Sequence, residues 1–193
     1  MKLRHLPNII TCIRCLLVIP VIIALVNERY ALAFYIFLFA GVSDAVDGFL
    51  ARVYGWTSRF GAMLDPLADK ILLTSSYIVL GLQGHFSIWL VILVVARDIW
   101  IIFGGLLYRY VMGYLEFTPT LISKVNTFFQ ILLVSLMLIH LGFAAISDNI
   151  LKAVVLAVLI TTVASMAHYT LAWSWRALRS SPKPANSTSR SNA

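Results

Sequence analysis

The sequence predicts an all-α, polytopic membrane protein with six transmembrane helices. Three observations carry that expectation. The chain is 61% hydrophobic over 193 residues, with a mean hydropathy of +0.90, whereas soluble domains sit at roughly 45–50% apolar. Apolar runs close to the ~20 residues needed to cross hydrocarbon recur six times. The basic residues, finally, crowd onto one side of the resulting arrangement.

The first span covers 9–26. Lys2 and Arg4 precede it as they would a secretory signal, but the run is long enough to span and no small-x-small cleavage site follows. The break "NER" at 27–29 leads to the second span, 31–52, and "YGWTSR" at 54–59 leads to the third, 64–82. "QGH" at 83–85 precedes the fourth, 87–110; "GYLEFTP" at 113–119 precedes the fifth, 122–143; "SDN" at 147–149 precedes the sixth, 149–173. Gly55 and Pro119 fall in breaks, where they interrupt no helix. No internal repeat is visible. Residues 1–179 therefore read as one membrane domain. The basic tail 180–193, rich in Ser, Pro and Asn, reads as disordered.

With six spans the two ends share a side. That side collects Lys2, Arg4, Arg52, Arg59, Arg109, Lys124, Arg176, Arg179, Lys183 and Arg190, against little beyond Arg29 and Lys152 opposite. The positive-inside rule puts both termini in the cytoplasm. The tail suits anionic headgroups at about 1 kcal/mol per charge near the surface, and a solvated, silent tail fits equally well. Nothing points to nucleic acid. Cys12 and Cys15 have C-x-x-C spacing but sit in an apolar run with no second pair, so they read as inert helix thiols. His140 and His168 lie on apolar spans with no carboxylate at ligand spacing and read as locally satisfied. Trp56, Tyr108, Tyr169, Trp173 and Trp175 read as an interfacial belt.

Only 8 acidic residues stand against 15 basic ones, yet "SDAVDGFLARVYGWTSRFGAMLDPLADK" (43–70) holds Asp44, Asp47, Asp65 and Asp69. Asp44 and Asp47 are three apart near the end of the second span, and Asp65 and Asp69 four apart at the start of the third. Each pair therefore shares a helix face. A tight reversal between them would make the two helices antiparallel neighbours at the cytoplasmic face. Four close carboxylates repel unless cations neutralise them. Protonated acids, or salt bridges to Arg52, Arg59 or Lys70, are alternatives that do not require this regular spacing. Oxygen-only ligands suit a hard cation, so Mg²⁺ or Mn²⁺ is the natural guest, and two such ions would suit a phosphoryl or pyrophosphate substrate. Gly48, Ala51, Gly61 and Ala62 serve close helix packing, or leave room for a bulky phosphorylated ligand.

Asp44-x-x-Asp47-Gly48-x-x-Ala51-Arg52, then eight residues, then Gly61-x-x-x-Asp65-x-x-x-Asp69, resembles without departure the signature of the CDP-alcohol phosphatidyltransferase family. The opening "LPNIITCIRCLLVIP" is similar to that family's N-terminal pattern. Within the family, "ARDIWIIFGGLLYR" (96–109) and "PTLISKVNTFFQ" (119–130) resemble the CMP-forming cardiolipin synthases more than the phosphatidylglycerophosphate synthases.

The resemblance implies transfer of a phosphatidyl group from CDP-diacylglycerol to an alcohol, with release of CMP, at a cytoplasm-facing active site. Asp44, Asp47, Asp65 and Asp69 would ligate two Mg²⁺ or Mn²⁺ ions, and Asp69 would also be the general base. Gly48, Arg52, Ser58 and Gly61, with Asn8 and Thr11, would line the CDP-diacylglycerol site. The acceptor would be phosphatidylglycerol, giving cardiolipin, or alternatively glycerol 3-phosphate. Arg97, an ionisable group within the fourth span, is a functional-site residue by default. Asp98 is expected to be a poor partner for it, because i and i+1 point to different helix faces. Arg97 and Lys124 are assigned to the acceptor's phosphate, although Lys124 also fits a snorkelling anchor, as Arg109 does. The expected location is a bacterial inner (cytoplasmic) membrane, among membrane lipids, with a homodimer allowed by the resemblance. Two rivals are weaker. A membrane prenyltransferase needs more spans, and a divalent-cation transporter would hold its carboxylates nearer the midplane.

Overall fold

A computed structural model describes the backbone of residues 6–54, 61–112 and 120–179, and side chains at 16–43, 46, 70–104 and 120–172. All the regular structure in these residues is helical. The elements are α1 (Leu6–Val26), α2 (Tyr30–Tyr54), α3 (Gly61–Leu82), α4 (Ile88–Met112), α5 (Leu121–Gly142) and α6 (Asp148–Arg179). They follow the six expected segments closely. Two of them, Leu121–Gly142 and Asp148–Ala172, are long and apolar enough to cross a membrane, while α1, α2 and α3 show shorter described apolar stretches at Leu16–Val26, Tyr30–Ser43 and Lys70–Leu82. The segment 180–193 and Ser58 lie outside the described residues.

The bundle is apolar on both its inside and its outside. Leu82, Trp89 and Leu121 are each more than three-quarters exposed, along with a long series of other large apolar side chains. An exterior of this kind is matched to lipid rather than to water. The core is built from Val21 and Leu25 of α1, Ala33 and Ala40 of α2, Tyr77 and Leu80 of α3, Leu133, Val134 and Leu138 of α5, and Val158 of α6, all without solvent contact. Ala33 and Ala40 are seven apart, so small residues recur on one face of α2. They let α1 and α5 approach its backbone closely.

Reversals at the end away from the aspartates are tightly specified. α1 stops with Arg29 N–H donating to Ala24 O (2.8 Å) and Glu28 N–H to Leu25 O (2.9 Å), with Glu28 at φ 56°. α3 stops in the same way around Gly84, at φ 82°. Both are Schellman endings, which place a left-handed residue just past the helix. The Gln83 side chain is a second donor to Leu25 O (2.7 Å), tying the end of α3 to the end of α1. Tyr30 and His85 share a hydrogen bond of 3.0 Å and meet ring edge to ring face.

Candidate active site

The helical backbone of α2 runs unbroken through Asp44, Asp47, Gly48 and Arg52. That of α3 begins at Gly61 and runs through Asp65 and Asp69. The expected spacing on one helix face therefore holds at the level of backbone register. At 1.5 Å per residue, Asp47 and Asp44 lie about 10 and 15 Å along α2 from its Tyr54 end, and Asp65 and Asp69 about 6 and 12 Å along α3 from Gly61. Asp44 and Asp47 thus lie in the last three turns of α2, and Asp65 and Asp69 in the first three turns of α3. Their side chains, with those of Asn8, Thr11, Gly48, Arg52 and Gly61, lie outside the described ones.

Among the described residues α1 packs against both α2 and α3, and α5 also touches both. The stretches of α2 and α3 on which their expected pairing falls lie outside the described side chains.

Among the described residues no three His, Cys, Asp or Glu side chains gather. The chemistry of the donor set nonetheless fits a hard cation, since residues 43–70 offer four carboxylates and no histidine or cysteine.

Beside α3 the structure shows a second charged centre. Arg97 of α4 is 1% exposed, and its guanidinium is held from three sides. Its Nη1 donates to Asp98 Oδ1 (2.6 Å), and its Nη2 to Ser123 Oγ of α5 (2.6 Å) and Ser165 Oγ of α6 (3.1 Å). Nε also donates to Ser165 Oγ (3.3 Å). The expectation that Asp98 is a poor partner is thus overturned: the long arginine arm folds back across the helix surface to reach its neighbour. Asp98 Oδ1 also accepts from Lys70 Nζ (3.0 Å), and Lys70 follows Asp69 by one residue on α3. Two cations share one carboxylate, so these three described groups together carry one net positive charge, with Arg97 buried and Lys70 partly exposed.

The top of α5 adds to that positive field. Thr120 caps the helix, its Oγ1 accepting from Ser123 N–H (3.3 Å). A helix N-terminus is the positive end of its dipole, and Arg97 reaches this one at Ser123. Lys124 is exposed in the same turn. Tyr169, expected at the membrane interface, is instead buried, with its hydroxyl accepting from Thr120 N–H (3.5 Å). Below this, Asn126 Oδ1 lies against Thr161 (2.9 Å) and Thr162 (2.8 Å) of α6. His140 has a local role, its Nδ1 accepting from Ile146 N–H (2.9 Å) in the α5–α6 connection.

Asp98, Ser123, Ser165 and Tyr169 are the site neighbours that spacing did not reveal. Their only sequence signal is polarity within apolar helices, and that does not say which helices meet.

Comparison with known proteins bears on the family. The family profile described as CDP-alcohol phosphatidyltransferase matches residues 4–174. A Drosophila melanogaster protein named as a probable CMP-forming cardiolipin synthase is 32% identical over 71% of this chain and 48% of its own length. A chloroplastic CDP-diacylglycerol--glycerol-3-phosphate 3-phosphatidyltransferase of Oryza sativa is 36% identical over 75% of this chain and 50% of its own. The human CMP-forming cardiolipin synthase is 31% identical over 67% of this chain and 48% of its own length. The chain thus spans about half the length of these curated relatives.

Proposed function

Because the chain belongs to the CDP-alcohol phosphatidyltransferase family, we propose that it transfers the phosphatidyl group of CDP-diacylglycerol to phosphatidylglycerol, giving cardiolipin and CMP. The acceptor hydroxyl oxygen attacks the phosphorus on the diacylglycerol side. The bond from that phosphorus to the CMP oxygen breaks, and the proton passes to the Asp69 carboxylate. Asp44, Asp47, Asp65 and Asp69 would hold two Mg²⁺ or Mn²⁺ ions. When bound, these neutralise the pyrophosphate and stabilise CMP as leaving group. Gly48, Gly61, Arg52 and Ser58, with Asn8 and Thr11, take the CDP moiety. Arg97 and Lys124 attract the acceptor's phosphate. This reading includes an integral membrane location, a cytoplasm-facing site and both termini in the cytoplasm.

The observation that carries the acceptor half is the net positive cluster of Arg97, Lys70 and Asp98, set beside the helix of Asp69. Among the described side chains this cluster has one cation in excess, which favours an anion, and a glycerol phosphate is one. Two of the relatives described bear the cardiolipin synthase name, which favours the lipid acceptor. Glycerol 3-phosphate is the second reading, favoured by the rice relative.

Purified protein given Mg²⁺ or Mn²⁺ and CDP-diacylglycerol should release CMP only when an acceptor is added. Phosphatidylglycerol and glycerol 3-phosphate are offered in parallel, and the lipid product is identified by mass. No CMP with any acceptor sinks the reaction, and turnover with glycerol 3-phosphate alone reassigns the acceptor.

A further inference from the structure

Asp98 is a largely buried carboxylate to which the reaction above gives no part. We propose that it is a positioning residue which joins the acceptor-phosphate side of the site to the helix of the general base. A single oxygen, Oδ1, takes hydrogen bonds from Arg97 Nη1 at 2.6 Å and Lys70 Nζ at 3.0 Å. The two cations are therefore held close together by one atom. Arg97 Nη2 and Nε are fixed on Ser123 and Ser165, so the guanidinium is tied to α5 and α6 while Asp98 ties it to α3.

Lys70 is the residue next to Asp69, and its ammonium is anchored to α4. Rotation of α3 about its axis would break that anchor, so the anchor sets the rotational register of the turn that carries Asp69. The same carboxylate therefore fixes where an anionic acceptor docks and how its hydroxyl is presented to Asp69. Like charges drawn together without their shared anion repel, so without Asp98 the two ends move apart.

This inference rests on the transfer reaction proposed above, and its test separates the two. Asp98→Asn keeps the shape of the side chain and removes its charge. The KM for the acceptor, phosphatidylglycerol or glycerol 3-phosphate in separate arms, should rise roughly tenfold, the scale of one charge-assisted hydrogen bond. The KM for CDP-diacylglycerol should stay within about twofold, because no contact to that substrate is lost. Asp98→Glu should recover most of the acceptor KM. Lys70→Met removes the α3 anchor together with one of the two cations, so kcat should fall on the order of tenfold, since small misplacements of reacting groups are costly, and the acceptor KM should rise as well.

Wild-type turnover with an unchanged acceptor KM in Asp98→Asn overturns the positioning role. So does an equal loss toward both substrates that tracks a lowered unfolding temperature. If the wild type releases no CMP, the reaction itself fails. Quenching of tryptophan fluorescence by brominated phosphatidylglycerol, over a brominated phosphatidylcholine background, then decides the point without turnover. Roughly tenfold weaker quenching affinity in Asp98→Asn supports the role, and equal affinity ends it.

Discussion

A guanidinium without solvent contact in an apolar bundle must be matched by its neighbours, and Arg97 is matched by one carboxylate and two hydroxyls on three helices. The fork geometry matters as much as the charge. Arg97→Lys retains the charge and loses the bonds to Ser123 and Ser165. It should weaken use of the acceptor by roughly tenfold or more, read as KM, while CDP-diacylglycerol binding persists. Asp69→Asn should cut turnover by at least about 100-fold, the lower end for a general base, with binding of CDP-diacylglycerol largely retained. Full activity in that variant would remove Asp69 as base. The sequence marked Arg97 as unusual, because a charge within an apolar run stands out. It hid Asp98, because the rule that adjacent residues face different ways ignores how far an arginine arm can reach. Tyr169 misled for a related reason: an amphipathic ring near a span end suits the interface and a buried hydroxyl partner equally well.

At the scale of elements, the six helices were legible almost to their ends because long apolar runs and short polar breaks leave few alternatives. Their mutual contacts were not legible. Only six residues separate Tyr54 from Gly61, but that spacing does not say that α1 packs against both α2 and α3. Close approaches are another tertiary property. A Cβ on Gly142 would come within 2.6 Å of Ala31 N and 2.9 Å of its Cα, both backbone atoms that cannot move aside cheaply. Gly142→Ala should therefore destabilise by about 1–3 kcal/mol, the usual range for overpacking. A Cβ on Gly41, in α2, would meet nothing within 4 Å. Gly41→Ala should be neutral or stabilise by up to about 1 kcal/mol, through reduced freedom of the unfolded chain. Thermal unfolding of the two variants in detergent compares them directly, and equal midpoints would contradict the packing described at Gly142.

For the whole molecule, composition alone was decisive. A chain with large apolar residues over its exterior has no stable solution in water, and the described surface agrees. The aspartate signature and the register of α2 and α3 were both readable in advance, since helix periodicity follows directly from sequence spacing. With oxygen donors alone, binding of the divalent ions is expected to be reversible. A chelator should abolish CMP release, and Mg²⁺ or Mn²⁺ should restore it, whereas activity that survives chelation would break the link between the four aspartates and the chemistry.

The ties at the opposite face have a mechanical meaning. Gln83 clamps the end of α1, Tyr30 holds His85, and Gly142 lies against the start of α2, so the turns there are stitched to one another. A bundle pinned at one end widens most cheaply at the other, as the jaws of a clothes-peg part opposite the spring. Room for the two-tailed lipid of the proposed reaction would then be made where the aspartates are, while the far rim keeps its shape.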